Sequence, residues 1–173
     1  SLSESTAERM RKFRTERLSK LVAGEAPAAL QETPKTVLHM IPFSAFDPSI
    51  RHDLSSLVER LVELRPLDAV GWNHRFNLDG FLTYCRYSKT DLANSYLQIF
   101  RNGSVEAVAS SLLREQEGKK LGLGVAFENE LINSVKRYLM TQKELGVEPP
   151  IVVMLSLLGV LGYTITAQSE RFF

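Results

Sequence analysis

Trp72, Asn73, His74 and Arg75 are consecutive and bring the single tryptophan of the chain together with an amide, an imidazole and a guanidinium. An aromatic surface beside such polar groups suits a pocket that binds an anionic or aromatic ligand. The simpler alternative is that Trp72 closes one end of a sheet while Asn73 and His74 bond to the backbone of a turn. We favour this alternative but keep all four residues as candidate ligand contacts.

Arg86 and Arg101 lie on segments that we predict to be strands close to Arg75. If the three guanidinium groups flank one face, they form an anion-binding patch, because each presents a planar set of donors that matches a carboxylate or a phosphate. The candidate ligand-binding residues are therefore Trp72, Asn73, His74, Arg75, Arg86 and Arg101.

Residues capable of acid, base or nucleophilic chemistry are scattered along the chain. Asp79 and Glu106 could form a carboxylate pair, but a turn cap and a solvent-facing charge on a strand explain them more simply. Cys85 has no histidine or acid suggested beside it and is predicted to be a buried thiol. His39 alternates with apolar neighbours and is predicted to be a hydrogen-bonded core residue, whereas His52 opens a helix and should be solvated. No catalytic residue, metal site or cofactor is predicted.

Composition limits the classes of partner. The 173 residues carry 21 basic and 20 acidic side chains, a net charge of +1, so no overall field attracts nucleic acid or anionic lipid. A hydrophobic content of 44% is enough for one sizeable core. One cysteine, a polar beginning and the lack of an apolar run of roughly 20 residues predict a soluble, cytoplasmic protein without a membrane partner.

Residues 71–109 organise the predicted fold. Asn102 and Gly103 separate two β-prone runs and are typical of a type I′ hairpin, in which both turn residues need positive φ. Residues 80–86 are rich in aromatic and β-prone side chains and predict a neighbouring strand. Together these segments predict a three-stranded antiparallel meander.

Three helices are predicted around the meander. The first begins at a capping box at Ser5, ends at Gly24, and carries an apolar stripe formed by Met10, Phe13, Leu18, Leu21 and Val22, with its basic residues, including Arg14 and Arg17, outside that stripe. The second is begun by Asp47 and Pro48 and ends before Pro66. The third covers residues 126–145, and its inward residues are Phe127, Leu131, Ile132, Val135, Tyr138, Leu139 and Leu145.

Further strands are predicted outside the meander. Residues 36–41 should form an interior strand, and the nearly continuous apolar run at 151–158 should form a strand in the middle of the sheet, covered on both faces. Residues 163–166 predict a short edge strand, and the Gly/Lys-rich residues 115–124 predict a flexible segment.

The predicted fold class is α+β: a single mixed, mainly antiparallel sheet with helices packed on it, broadly like a sensor domain. Residues 1–24 are predicted to be an N-terminal helix that could end a linker from an upstream domain. Residues 25–173 are predicted to form a single α+β domain.

Residues 13–18, 37–42, 71–81, 100–103 and 146–150 together resemble the region that follows the DNA-binding domain in bacterial Schlafen/AlbA-type proteins. The resemblance covers nearly the whole chain and includes the string Gly-Trp-Asn-His-Arg-Phe-Asn-Leu-Asp-Gly-Phe. It implies a domain of a multidomain bacterial protein with an AlbA-like DNA-binding domain attached at its N-terminal side. The nucleic-acid binding of that domain does not carry over to these residues.

Two functions follow as hypotheses. The one we favour is a noncatalytic regulatory domain that senses a ligand, or docks a protein, for the attached DNA-binding domain. Its candidate partners are that domain, a small anionic ligand and a second copy of the chain. The other hypothesis is a hydrolase of nucleotides or nucleic acids that uses His74, Arg75 and Asp79.

Overall fold

The structure, a computed structural model, describes residues 2–86 and 89–167. It contains two long helices, nine strands and two short 3-10 turns within those ranges. The elements in chain order are α1 Leu2–Val22, β1 Lys35–Pro42, the 3-10 turns Phe43–Phe46 and Ser55–Glu59, β2 Asn73–Phe76, β3 Gly80–Arg86, β4 Ala93–Phe100, β5 Val105–Ala109, β6 Arg114–Gln116, β7 Lys120–Leu123, α2 Val125–Glu144, β8 Ile151–Leu158 and β9 Thr164–Ala167.

Six strands form the main sheet in the order β2-β3-β4-β5-β1-β8, and every neighbouring pair is antiparallel. The α+β class, the mainly antiparallel sheet and the β3-β4-β5 meander are therefore confirmed, as is the interior position of β1. A second sheet, β6-β7-β9, was not predicted, and in it β7 and β9 are parallel.

Each face of the main sheet has its own helix. Helix α1 covers one face, where Leu21 packs with Val37 and Tyr96. Helix α2 and residues 54–67 cover the other face, where Tyr138 and Leu57 belong to the largest apolar cluster. The sheet is thus the middle of three layers. Side chains of its central strands alternate between the two faces, and both sets are buried because a layer covers each face.

The hairpin between β4 and β5 lies where the sequence places it, but its loop differs. Gly103 has φ of 85°, whereas Asn102 is not among the residues with positive φ, so the turn is not type I′. The Asn102 side-chain oxygen instead accepts a bond from the Ser104 N–H at 2.9 Å. One left-handed glycine that ends a three-residue loop is the next commonest hairpin connection.

The helix predicted before Pro66 is wrong, although its apolar residues are buried. Leu54 and Leu57 lie in the core, but only the two 3-10 turns are helical there. The carboxylates of Asp47 and Asp53 accept bonds from the backbone two residues on, and the His52 N–H donates to the carbonyl of Arg101. Because these bonds engage the backbone locally and with the loop between β4 and β5, they compete with a continuous helix.

Two predictions about strands are also wrong. Residues 115–124, for which no strand was predicted, form β6 and β7, which pair through a turn in which Gly118 and Lys119 both have positive φ. Strand β8 is not central: it is the outer strand beside β1, and Val153 and Leu155 are 45% and 47% exposed.

The helices match their predicted positions with local differences. Ser5 lies inside α1 and does not cap it, and Val22 is exposed. Gly24 has φ of 76° beyond α1, as a terminating glycine should, and Gly146 does the same beyond α2 with φ of 80°. Ile132, predicted to face inward, is 52% exposed.

Candidate functional site

Strands β2 and β3 bring four polar or aromatic residues to one face at the edge of the main sheet. Asn73 lies opposite Tyr84 and Arg75 lies opposite Leu82, so their side chains share the face of α1. Arg86, two residues after Tyr84, points to the same face. We call Arg75, Tyr84 and Arg86 the Arg75–Tyr84–Arg86 surface.

Both arginines of this surface stack on the same ring. The guanidinium carbon of Arg75 is 5.4 Å from the centroid of Tyr84, and that of Arg86 is 5.0 Å from it. Contacts at this distance are attractive because the ring face is electron-rich, and they hold both guanidinium groups in place. The tyrosine therefore holds two like charges against one ring.

Among the described residues, the two arginines have one hydrogen-bonded donor between them. Arg75 Nη2 donates to the carbonyl of Pro27 at 2.7 Å. Within residues 2–86 and 89–167, neither Arg75 nor Arg86 forms an ion pair with a carboxylate. Exposed guanidinium groups with open donors can hold a carboxylate or phosphate through paired, charge-assisted bonds.

The other residues of the 72–75 cluster point elsewhere. His74 lies on the opposite face of the sheet, where its ring stacks on Phe81 at 5.7 Å between centroids. The indole N–H of Trp72 donates to the carbonyl of Leu61 at 2.8 Å, and its ring is half-buried. Consecutive strand residues must alternate between faces, so Asn73 and Arg75 can share a site but His74 cannot join them.

Arg101 lies at the far end of β3 from Arg86. Its backbone N–H donates to the carbonyl of Asp79, beside the start of β3, roughly 20 Å along the strand from Arg86. There it lines an open cleft of about 370 Å³ with Asp47, Arg51 and Asp79. The predicted patch of three arginines is therefore two arginines at one end of the sheet and one at the other. His74, Arg75 and Asp79 likewise do not converge.

A buried ionic cluster beneath α1 was not predicted. Glu106 accepts bonds from Arg17 Nε at 2.8 Å and Arg17 Nη2 at 2.7 Å, from the Tyr96 hydroxyl at 2.6 Å, and its Oε2 lies 2.8 Å from His39 Nε2. The side chains of His39 and Glu106 have no exposed area, and that of Arg17 is 9% exposed. The solvent-facing position predicted for Glu106 is wrong, as is the outward position of Arg17.

Electrostatics fix Glu106 as a carboxylate. Burial alone would raise its pKa, but the bonds and charges of Arg17 and His39 outweigh burial and lower the pKa to about 2. Burial, followed by the charge and hydrogen bond of Glu106, raises the pKa of Tyr96 well above its ordinary value. With Glu106 and His39 fully buried, the cluster joins α1 to the sheet.

Two sequence signals point to this cluster in hindsight. Arg17 lies four residues after Phe13 and four before Leu21, on the apolar stripe itself. Glu106 interrupts a strand whose other residues are Val105, Ala107, Val108 and Ala109. A single charge within an otherwise apolar run is buried only when an opposite charge meets it, and the alternation of His39 with apolar neighbours fits the same rule.

The remaining candidates have structural contacts. Cys85 is buried, as predicted. His39 is the predicted core residue, and its Nε2 is the bonded nitrogen. His52 is not solvated, since it is half-buried and its Nδ1 lies 2.9 Å from the carbonyl of Leu145. In the part of the chain that the structure describes, no three His, Cys, Asp or Glu side chains are grouped so as to hold a metal ion.

None of the described helices is both long enough and apolar enough to cross a membrane. A scan against protein-family models, a search of curated proteins and a search of solved structures each return no match for this chain. The resemblance to the region downstream of the DNA-binding domain in Schlafen/AlbA-type proteins stays a prediction.

Proposed function

We propose that this chain is a noncatalytic regulatory domain that binds a small anionic ligand through the Arg75–Tyr84–Arg86 surface. The observation that carries the proposal is the stacking of two guanidinium groups on one tyrosine, with no carboxylate partner for either among the described residues. Two cations held against one ring repel each other, and a bound anion relieves that repulsion.

The expected ligand is a compact anion such as a phosphate group of a nucleotide. Each guanidinium offers a planar fork of donors, and the exposed amide of Asn73 lies next to them on the same face. In the arrangement implied by the Schlafen/AlbA resemblance, such binding would regulate an attached DNA-binding domain in the cytoplasm of a bacterium.

Calorimetric titration tests the proposal, with inorganic phosphate, nucleoside mono- and triphosphates and a short single-stranded oligonucleotide as probes. We expect Arg75→Gln and Arg86→Gln each to weaken binding about tenfold or more, because each removes charge-assisted bonds. Arg51→Gln is the matched control, since Arg51 is an exposed arginine in the separate cleft that Arg101 lines.

Melting temperatures of the variants should stay near that of the parent protein, because both arginines are exposed. Normal binding by both variants, or a loss confined to Arg51→Gln, would contradict the proposed surface. Turnover of a nucleotide or phosphodiester that disappears in His74→Ala would contradict the noncatalytic function. We also expect weak binding of duplex DNA that fades as salt rises, in keeping with the net charge of +1.

A further inference from the structure

Strand β8 ends the main sheet with an open edge. It pairs with β1 on one side, and none of the strands in the described ranges pairs with its other side. It is eight residues long and reads Ile-Val-Val-Met-Leu-Ser-Leu-Leu, with no charge and no proline. Natural sheets usually protect a long edge with lysine, proline or a bulge, because unpaired backbone groups otherwise recruit another strand.

One hydrogen bond shows which backbone groups of β8 point towards β1 and which point away from the sheet. The N–H of Phe43 donates to the carbonyl of Pro150 at 3.1 Å, immediately before β8. In an antiparallel pair the groups of alternate residues point to the same neighbour. Val152, Met154 and Ser156 therefore bond to β1. The backbone groups that point away from the sheet belong to Ile151, Val153, Leu155 and Leu157.

The open edge continues into an apolar surface on the α2 side. Val153 and Leu155 are each nearly half exposed there, and Ile132 and Met140 on α2 are 52% and 63% exposed. A groove of about 350 Å³ lies between β8 and α2, and among the described residues that line it only Lys136 is charged. An exposed apolar strip along an unprotected strand is typical of a protein interface.

We infer that two copies of this chain pair edge to edge through β8, in antiparallel orientation about a twofold axis at Met154. This register is the only symmetric one that gives all four outward residues a partner: Ile151 bonds to Leu157 of the second copy, and Val153 bonds to Leu155 of the second copy. The two six-stranded sheets then form one continuous sheet.

The strand itself favours a second copy over an unrelated chain, because β8 is its own complement. On the α2 face the pairing sets Val153 against Leu155 twice, so the half-exposed side chains cover one another. Since β8 carries no charge, pairing with itself brings no like charges together on the strands. The pairing is separate from the Arg75–Tyr84–Arg86 surface, because β2 and β8 are the two opposite edges of the sheet.

Cysteine cross-linking of the whole chain tests the register. Met154→Cys places two thiols opposite each other at the axis, in a pair whose Cα atoms are separated by about 4.5 Å, within disulfide range. Val152→Cys is the matched control on the same face: it faces Ser156 of the second copy, and its own two thiols are about 13 Å apart. The natural Cys85 is buried, so the parent protein should stay uncross-linked.

Sedimentation velocity tests the association without cysteines. We expect the parent protein to be a dimer and Leu155→Lys to weaken dimerisation at least about tenfold, because pairing would bury an unpaired charge. Val62→Lys, at a residue 78% exposed and outside β8, should dimerise normally. Circular dichroism checks that each variant is folded.

The inference is supported if Met154→Cys forms a disulfide-linked dimer, Val152→Cys does not, and Leu155→Lys is monomeric. A parent protein that remains monomeric at about 100 μM, which corresponds to less than about 5.5 kcal/mol of association, overturns it. In that case a different protein would be left to cover the edge. Equal cross-linking of Val152→Cys overturns the register, and a dimeric Leu155→Lys overturns the interface.

Discussion

Replacing Glu106 with glutamine tests the role of the buried cluster most directly. The substitution keeps the size and shape of the side chain but removes the negative charge that four atoms surround: Arg17 Nε and Nη2, Tyr96 Oη and His39 Nε2. The Arg17 side chain, 9% exposed, would then lie beneath α1 without a counter-charge. One of the donors would also face the new amide group instead of an acceptor.

The expected loss of stability follows from two independent estimates. Breaking a buried ion pair by removing one partner costs about 3–5 kcal/mol. The fall in the pKa of Glu106 from 4.5 to about 2 corresponds to about 3 kcal/mol of stability in the charged state. We therefore expect Glu106→Gln to lower the free energy of unfolding by about 3–5 kcal/mol at pH 7.

Urea denaturation followed by circular dichroism measures this loss, and repeating it across pH separates the charge from the packing. A carboxyl group with a lowered folded-state pKa binds fewer protons in the folded than in the unfolded protein between pH 2 and 4.5. Its contribution to stability is therefore complete above pH 4.5 and is lost as the pH falls towards 2. The parent protein should lose about 3 kcal/mol more than Glu106→Gln over this range.

Two controls make the result specific. Glu16→Gln removes a charge from the same helix, where the Lys12–Glu16 pair at 3.9 Å is exposed, and should change stability by less than about 0.5 kcal/mol. Arg17→Met combined with Glu106→Gln should cost less than the sum of the two single changes, because neither charge is left unpaired. If Glu106→Gln lies within about 1 kcal/mol of the parent, or if its pH profile is parallel to that of the parent, the reasoning about the cluster is refuted.

Two further predictions concern the β2–β3 region. Gly80→Ala should destabilise the protein by more than about 2 kcal/mol in urea denaturation, because Gly80 has φ of 153° and an added methyl group would overlap the carbonyl oxygen of Ile99. Gly71→Ala is the control and should be close to neutral, since open space surrounds Gly71. Trp72→Ala should lower the free energy of unfolding by about 1–3 kcal/mol, because Trp72 is half-buried and loses part of its packing and its bond to Leu61. Truncating a fully buried ring costs about 3–5 kcal/mol. A loss in that higher range would show that Trp72 closes the end of the sheet, as the sequence suggested.

The parts of the fold that local chemistry specifies could be predicted. The β3-β4-β5 meander rests on β-prone runs and a turn at Gly103, and the ends of α1 and α2 rest on Gly24 and Gly146. In each case the interaction that forms the turn or ends the helix is between residues close in sequence, so it can be predicted without knowing the tertiary contacts. The loop of the hairpin was less predictable, because Asn102 has two conformations available and its bond to Ser104 selects one.

Residues 43–70 and β8 show where local pattern is insufficient. The spacing of Leu54, Leu57 and Leu64 is helical, yet the chain packs these residues into the core without a continuous helix. The backbone bond from His52 to Arg101, in the loop between β4 and β5, and the side-chain bonds of Asp47 and Asp53 compete with it. An apolar run such as Ile151–Leu158 is typical of a covered strand, but strand order depends on partners remote in sequence. The run is apolar even though β8 lies at the edge.

The sequence by itself determined the α+β class, the meander, the two long helices and the burial of His39 and Cys85, since these depend on composition, period and turn chemistry. Only the tertiary structure decided which charges meet. Arg17 and Glu106 are 89 residues apart in the chain, and strand alternation separates Arg75 from its neighbour His74. Ion pairing and the sharing of a sheet face depend on position in space and not on distance along the chain. Arg17 and Glu106 therefore meet although they are distant in sequence, whereas the adjacent residues His74 and Arg75 lie on opposite faces.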